Sequence, residues 1–319
     1  MDLRRLKSPY QVNIPYAIIV KNNHPCIWLC MCFIVFIYDS RWLDKAAITS
    51  LSTSPLSSWK VCTVTQVEEL KLFLRLLPIM ATTLFLWTGY TQLVTFFVKQ
   101  GSTMDRRMGT HFEIPPASLP IFSVINALLV LPFYDKVLVP LMERWSGGRR
   151  KGGFTPLQRM GFGLAVSICA MVAAALVEQR RMKVVVKARL LEDPTAIVPM
   201  SIFWLVPQYF LVGLAEIFTY VGQLHFFYAE VSEGMRSLST SLFIAELGLG
   251  SWISSLLVTI VQKTTGGDDD GWILNNINQS KIDRFYWLLA ALSLVNFGLF
   301  LLAASHHRYK QHHFVSTST

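Results

Sequence analysis

The sequence predicts an all-α membrane protein, and three observations carry that prediction. Six apolar stretches reach bilayer-spanning length, at roughly residues 72–98, 118–141, 157–177, 196–224, 238–261 and 285–304. About 20 such residues carry a helix across the hydrocarbon core. The chain of 319 residues is 52% hydrophobic and only 15% charged, whereas soluble domains average about a quarter charged. Its mean hydropathy is positive, +0.42. The net charge of +9 comes without a basic stripe or recognition motif, so no nucleic-acid partner is expected. Basic loops beside a lipid bilayer account for it better.

Residues 1–40 are unassigned. Their 13-residue apolar run, Cys26–Tyr38, is short for a span. The first ten residues are positive, but no signal-peptide core and cleavage site follow in order. A bundle is expected over residues 72–305 and a tail over 306–319. Pro78 and Gly89 are expected to bend the first span and Pro207 the fourth, which membrane helices tolerate when neighbours satisfy the freed backbone groups. Punctuation lies at EIPPAS (113–118), SGGRRKGG (146–153), LEDP (191–194) and TGGDDDG (265–271). Lys and Arg near the spans divide ten against eleven between the two sides, which leaves the bundle unoriented. The seven in residues 1–60 favour cytoplasmic termini only if residues 26–38 do not span.

The central candidate is Glu216, near the middle of the fourth span. A carboxylate at bilayer depth is costly unless it faces a bundle interior or a water-filled cavity. Gly213, Glu216, Tyr220 and Gln223 recur at helical spacing as one continuous polar or small face, suited to a cavity wall that takes up a proton or a cationic group. The alternative is a structural glutamate bonded to a neighbouring helix. Glu246, on the next span, either shares that cavity or bonds a backbone group beside the close-packing Gly248 and Gly250. On the first span Trp87, Tyr90, Thr91 and Gln92 form a polar-aromatic patch. Tyr90 and Gln92 line one cavity only if Gly89 distorts the turn; Trp87, Tyr90 and Thr91 make the simpler single face. Asp135 and Lys136 end the second span, as a gating pair or as a solvated helix end. Asn126 reads as helix–helix glue.

No metal or cofactor is expected. Cys26, Cys30, Cys32, Cys62 and Cys169 form no C-x-x-C pair, and no His stands at ligand spacing from any of them. Asp268–Asp270 are consecutive, without the alternation a calcium loop needs. His306, His307, His312 and His313 read as a membrane-surface tail, and the sequon at Asn278 matters only if its loop is lumenal.

Several stretches together resemble the plant nitrate/peptide transporter family, the proton-coupled oligopeptide transporters of the major facilitator superfamily. They include RWLDKAAI (41–48), LPIMATTLFLWTGYTQLVTFFVKQGSTMDR (77–106), YDKVLVPL (134–141), TPLQRMGFG (155–163), FWLVPQYFLVGLAE (203–216), VGQLHFFY (221–228) and EGMRSLSTSL (233–242). The resemblance implies a twelve-helix fold of two six-helix bundles. This chain then corresponds to the second bundle, helices 7 to 12, preceded at 41–71 by the end of the cytoplasmic inter-bundle linker. It implies cytoplasmic termini, a gating and substrate-contacting role for Glu216, and a gating role for Asp135 and Lys136. The family's E-x-x-E-R motif, and the lysine expected to pair with Glu216, belong to a first bundle that is absent here. Tyr90 stands where a nitrate-transporting member has histidine, and His225 replaces a usual acidic residue.

The expected function is proton-coupled transport of a small solute (a peptide, nitrate or another metabolite) at the plasma or vacuolar membrane. The proton is the coupling ion. The truncated chain is expected to be inactive alone, its partner being an N-terminal six-helix bundle or a full-length relative. The alternative is a non-transporting membrane interaction protein. No catalytic constellation suggests an enzyme.

Overall fold

The computed structural model describes residues 64–109, 111–145, 154–193, 196–231, 236–267 and 271–306. The readings of residues 1–40, Asp268–Asp270 and the tail histidines after His306 lie outside them. A boundary between two compact units falls after Pro78, and the bundle below is described from Ile79 onward.

Six helical segments are long and apolar enough to cross a membrane: Val67–Ser102, Pro116–Leu141, Pro156–Lys187, Ile202–Glu230, Thr240–Thr264 and Ile282–His306. The first consists of α1 (Val64–Val94) and the short α2 (Phe96–Ser102). Its interruption falls at Thr95, and α1 continues as one helix through Pro78 and Gly89. The Thr91 and Thr95 hydroxyls each donate back to the carbonyl four residues earlier, at 2.9 and 2.8 Å, a pattern that bends helices. The second span is α3 (Ile121–Phe133), a π-helical turn (Tyr134–Leu138) and α4 (Val139–Trp145). Pro140 has no N–H to return to Lys136, which favours a wider turn there.

α5 (Pro156–Lys187) opens on a capping box, Thr155 Oγ1 accepting from the Gln158 amide and Gln158 Oε1 from the Thr155 amide. It runs to Lys187 rather than ending near 177: Glu178 and Arg181 are paired inside the protein, while Arg180, Lys183 and Lys187 are exposed. The fourth span is preceded by β4 (Val198–Ser201) and begins with a 3-10 turn before α6 (Val206–Glu230). Pro207 therefore starts this helix instead of bending it. α7 (Arg236–Thr264) and α8 (Ile282–His306) complete the bundle. Between α2 and α3, β1 (Met104–Asp105) pairs in parallel with β4, and β2 (Arg107–Met108) pairs antiparallel with β3 (Phe112–Glu113).

The most extensive helix contact is α5 against α6, followed by α8 on α5 and α3 on α6. Glycines permit it. A methyl group on Gly163 would overlap the Thr219 hydroxyl and lie 2.8 Å from the Ala215 carbonyl oxygen. One on Gly222 would meet Met160 and the Pro156 carbonyl oxygen at 2.9 Å. The apolar core includes Phe97, Met104, Leu119, Ala174, Tyr209, Phe285 and Tyr286. Outward faces of α3 (Val124, Leu128, Leu129) and α7 (Ile244, Trp252, Leu256) are apolar and exposed, as lipid-facing surfaces are.

At the end of the bundle near β1, Glu178 and Arg181 form a fully buried ion pair at 2.7 Å. Gln100 donates to Glu178, while Arg181 donates to Thr103, Asn278 and the Ile277 carbonyl. Asn278 in turn donates to the Leu190 and Asp193 carbonyls. The sequon asparagine is thus buried and occupied, with no room for a glycan.

Two stability predictions follow from these contacts. Gly163→Ala should cost about 1–3 kcal/mol by overpacking, read as a lower thermal midpoint in detergent. Gly248→Ala, with nothing within 4 Å of the added methyl, should leave that midpoint unchanged. Arg181→Met should cost about 3–5 kcal/mol by stranding Glu178, and adding Glu178→Met should restore most of the loss in a double-mutant cycle.

Candidate functional site

α6 carries Glu216 into a narrow cleft between four helices. Phe85, Leu86, Gly89 and Tyr90 of α1, Ser167 and Met171 of α5, Val212 and Ala215 of α6, and Ser293 of α8 complete the walls. The free volume is about 10 Å³, room for roughly one water. Gly89 keeps it open: a side chain there would begin 3.5 Å from Met171 Cε. Glu216 is half-buried, and its hydrogen bond is a long one, accepted from Ser123 Oγ at 3.4 Å. Among the described residues no cation lies within ion-pair distance of it. A carboxylate so placed has spare hydrogen-bonding capacity and an uncompensated charge.

Glu246 does not share this cleft. It is buried and accepts from Gln223 Nε2 at 2.6 Å and from Thr83 Oγ1 at 3.2 Å, so side chains hold it rather than a backbone group. Gly250 brings α7 against α1, where a methyl would overlap Trp87 Cβ, and Gly248 has open space beside it. Gln223 lies seven residues beyond Glu216, about 10 Å along the helix. The expected continuous face is therefore divided. Gly213 meets Ser123 and Asn126, Glu216 meets the cleft, Tyr220 is exposed against Phe243 at 4.5 Å between ring centroids, and Gln223 serves Glu246. The face splits because α3 meets α6 at Gly213 and α7 meets it at Gln223, which a single helix does not reveal.

On α1, Tyr90 reaches the cleft and Gln92 does not. Gln92 is buried and donates to Ser254 Oγ at 2.9 Å. Trp87 is buried edge-on to Tyr90 and Phe243, at 5.6 and 5.1 Å, so it backs Tyr90 instead of facing solvent. Thr91 turns back to the Trp87 carbonyl. Asn126 donates to the Phe210 carbonyl at 2.7 Å, joining α3 to α6. Asp135 and Lys136 are both exposed on the π-helical turn, and among the described residues neither is in an ion pair. Asp135 instead lines a second cavity with Tyr134, Arg159 and His225. Ser123 and Thr83, the hydroxyl partners of the two glutamates, were hidden in the sequence by their ordinary residue type.

Comparison with known proteins connects this geometry to a family. The POT family profile matches residues 12–273. Protein NRT1/ PTR FAMILY 8.2 of Arabidopsis thaliana is 46% identical over 275 residues, covering 85% of this chain and 48% of that protein. Protein NRT1/ PTR FAMILY 5.1 of the same plant is 46% identical over 271 residues, covering 85% and 45%. The chain spans about half the length of the curated relatives it matches. A crystal structure of an auto-inhibited POT family peptide transporter superposes with a TM-score of 0.61 at 21% identity, covering 90% of this chain and 50% of that one. The POT family transporter PepTSo gives 0.52 at 21% identity, covering 76% and 44%. Six membrane-length helices, the shared fold and the match over most of the sequence make one conclusion: this chain is an integral, multi-pass membrane protein that belongs to the POT family of transporters.

Proposed function

We propose that the chain forms the C-terminal half of a proton-coupled carrier for small solutes, with residues 41–71 as the end of an inter-bundle linker and residues 72–305 as the second bundle. The observation that carries this reading is Glu216: a half-buried carboxylate with one long hydrogen bond among the described residues, open to a cleft. It is free to exchange a proton or to accept a cation from another bundle. The cleft's volume of about 10 Å³ holds no solute, so the solute site needs a further wall, as in carriers that bind at the interface of two repeats. The chain's coverage of half its relatives favours a first bundle as the supplier of that wall.

A peptide is the favoured solute, since a solved neighbour is described as a peptide transporter; nitrate and other small metabolites are the remaining candidates, at the plasma or vacuolar membrane. In this reading Tyr90, backed by Trp87, borders the proton site, and Asp135 and Lys136 belong to the cytoplasmic gate. Glu246 with Gln223, and Gln92 with Ser254, tie α7 to α6 and α1 away from the cleft, and Tyr220 packs on Phe243 at the exposed surface.

The test co-reconstitutes this chain in liposomes with the separately expressed first half of the Arabidopsis relative NRT1/ PTR FAMILY 8.2. Uptake of labelled dipeptide and nitrate is measured under an inward proton gradient. Uptake is expected only with both halves, and Glu216→Gln should reduce gradient-driven accumulation by about tenfold or more, equivalent to about 1.4 kcal/mol. Accumulation by the variant at the wild-type rate and pH profile would sink the assignment.

A further inference from the structure

We infer that the second cavity, centred on Arg159, is a phosphate-binding site. It lies between the π-helical turn, α5 and α6, and its volume of about 150 Å³ is far above the roughly 10–15 Å³ that admits one water. Its polar lining is Tyr134, Asp135, Arg159 and His225, set among apolar side chains such as Phe218.

Donors outnumber acceptors in this space. Arg159 is 8% exposed. One guanidinium nitrogen donates to Tyr134 Oη at 3.0 Å, and the group sits 4.4 Å above that ring's centroid. Among the described residues its Nε has no hydrogen-bond partner and no carboxylate lies within ion-pair distance. A buried cation without a counter-charge is expensive, so its retention calls for an anion. Tyr134 Oη accepts a second hydrogen bond, from the Phe154 amide at 3.3 Å, which leaves its own proton free to donate. His225, exposed at the rim, has an N–H in either tautomer. These donors come from the π turn, α5 and α6. That arrangement suits a tetrahedral oxyanion better than a planar carboxylate, and a guanidinium fork is matched to phosphate. The acceptor in the lining is Asp135, which is exposed and repels an incoming anion.

The phosphate comes from solution or from a lipid phosphomonoester headgroup, and one experiment separates the sources. The purified 319-residue chain is placed in phosphatidylcholine nanodiscs and titrated calorimetrically with inorganic phosphate. In a second set containing phosphatidic acid, bound lipid is counted by native mass spectrometry. Saturable binding in the first set identifies free phosphate, and selective retention in the second identifies a headgroup. Arg159→Gln should weaken binding by about tenfold or more. Asp135→Asn should tighten it about threefold by removing a like charge; this gain cannot come from misfolding. Thermal midpoints establish that each variant is folded. Failure of the folded wild type to bind either probe overturns the site, as does wild-type affinity in Arg159→Gln or a loss of binding in Asp135→Asn.

Discussion

The close approach of α5 and α6 is the constraint on which the other contacts depend. Between helices in a bilayer, lipid tails are as apolar as a leucine, so association rests on tight packing and interhelical hydrogen bonds. Gly163 and Gly222 let the two backbones meet where any side chain would collide with a carbonyl oxygen. Glycines set neighbouring contacts in the same way. Gly213 admits Ser123 and Asn126 of α3 against α6, and Gly161 receives the ring of Phe300 from α8. The apolar side chains left over face outward, where the bilayer takes them without cost.

Glu178, Glu246 and Glu216 meet the same desolvation problem in three ways. Glu178 has a cation, Arg181, at 2.7 Å and a further donor in Gln100. Glu246 has no cation among the described residues, but donors from Gln223 at 2.6 Å and Thr83 at 3.2 Å enclose it. Among the described residues Glu216 has a single donor, Ser123 Oγ at 3.4 Å, and an opening beside it. Hydrogen bonds and ion pairs that satisfy a buried group also fix it in place. The ordering from Glu178 to Glu246 to Glu216 is therefore an ordering from rigid to exchangeable, and the proposed proton site is the least satisfied of the three.

The spans were legible in the sequence because length and apolarity alone define them, and Glu216 was legible because an isolated carboxylate in such a run has few explanations. Partnerships were less legible. Helical spacing placed Glu216 and Gln223 on one face, yet that face turns to different neighbours along its length, and the docking of α7 on α1 shows itself through contacts such as Gly250 on Trp87, Glu246 on Thr83 and Ser254 on Gln92. Glu178 and Arg181 marked the apparent end of the third span, since charges normally stop an apolar run. Their i, i+3 spacing was the available sign of a pair inside it. Pro207 was expected to bend the fourth span, but the chain before it is drawn into a strand, Val198–Ser201 paired with Met104–Asp105, so the helix begins beside Pro207 instead.

α6 connects the two cavities physically. Val212, Ala215 and Glu216 line the first, while Ile217, Phe218, Val221 and His225 line the second. His225 lies nine residues past Glu216, about 13 Å along the axis, and the helix is unbroken from Val206 to Glu230. A rigid helix cannot shift one wall without shifting the other, so any tilt that admits a partner to Glu216 also changes the space in front of Arg159. Something opposite must absorb that displacement. The π-helical turn at Tyr134–Leu138 is suited to do so, because its hydrogen bonding departs from the regular ladder and it carries both Tyr134 and Asp135. The seam in the second span therefore lies where movement of α6 would be felt, and an anion held by Arg159 would favour whichever tilt keeps Tyr134 within its reach.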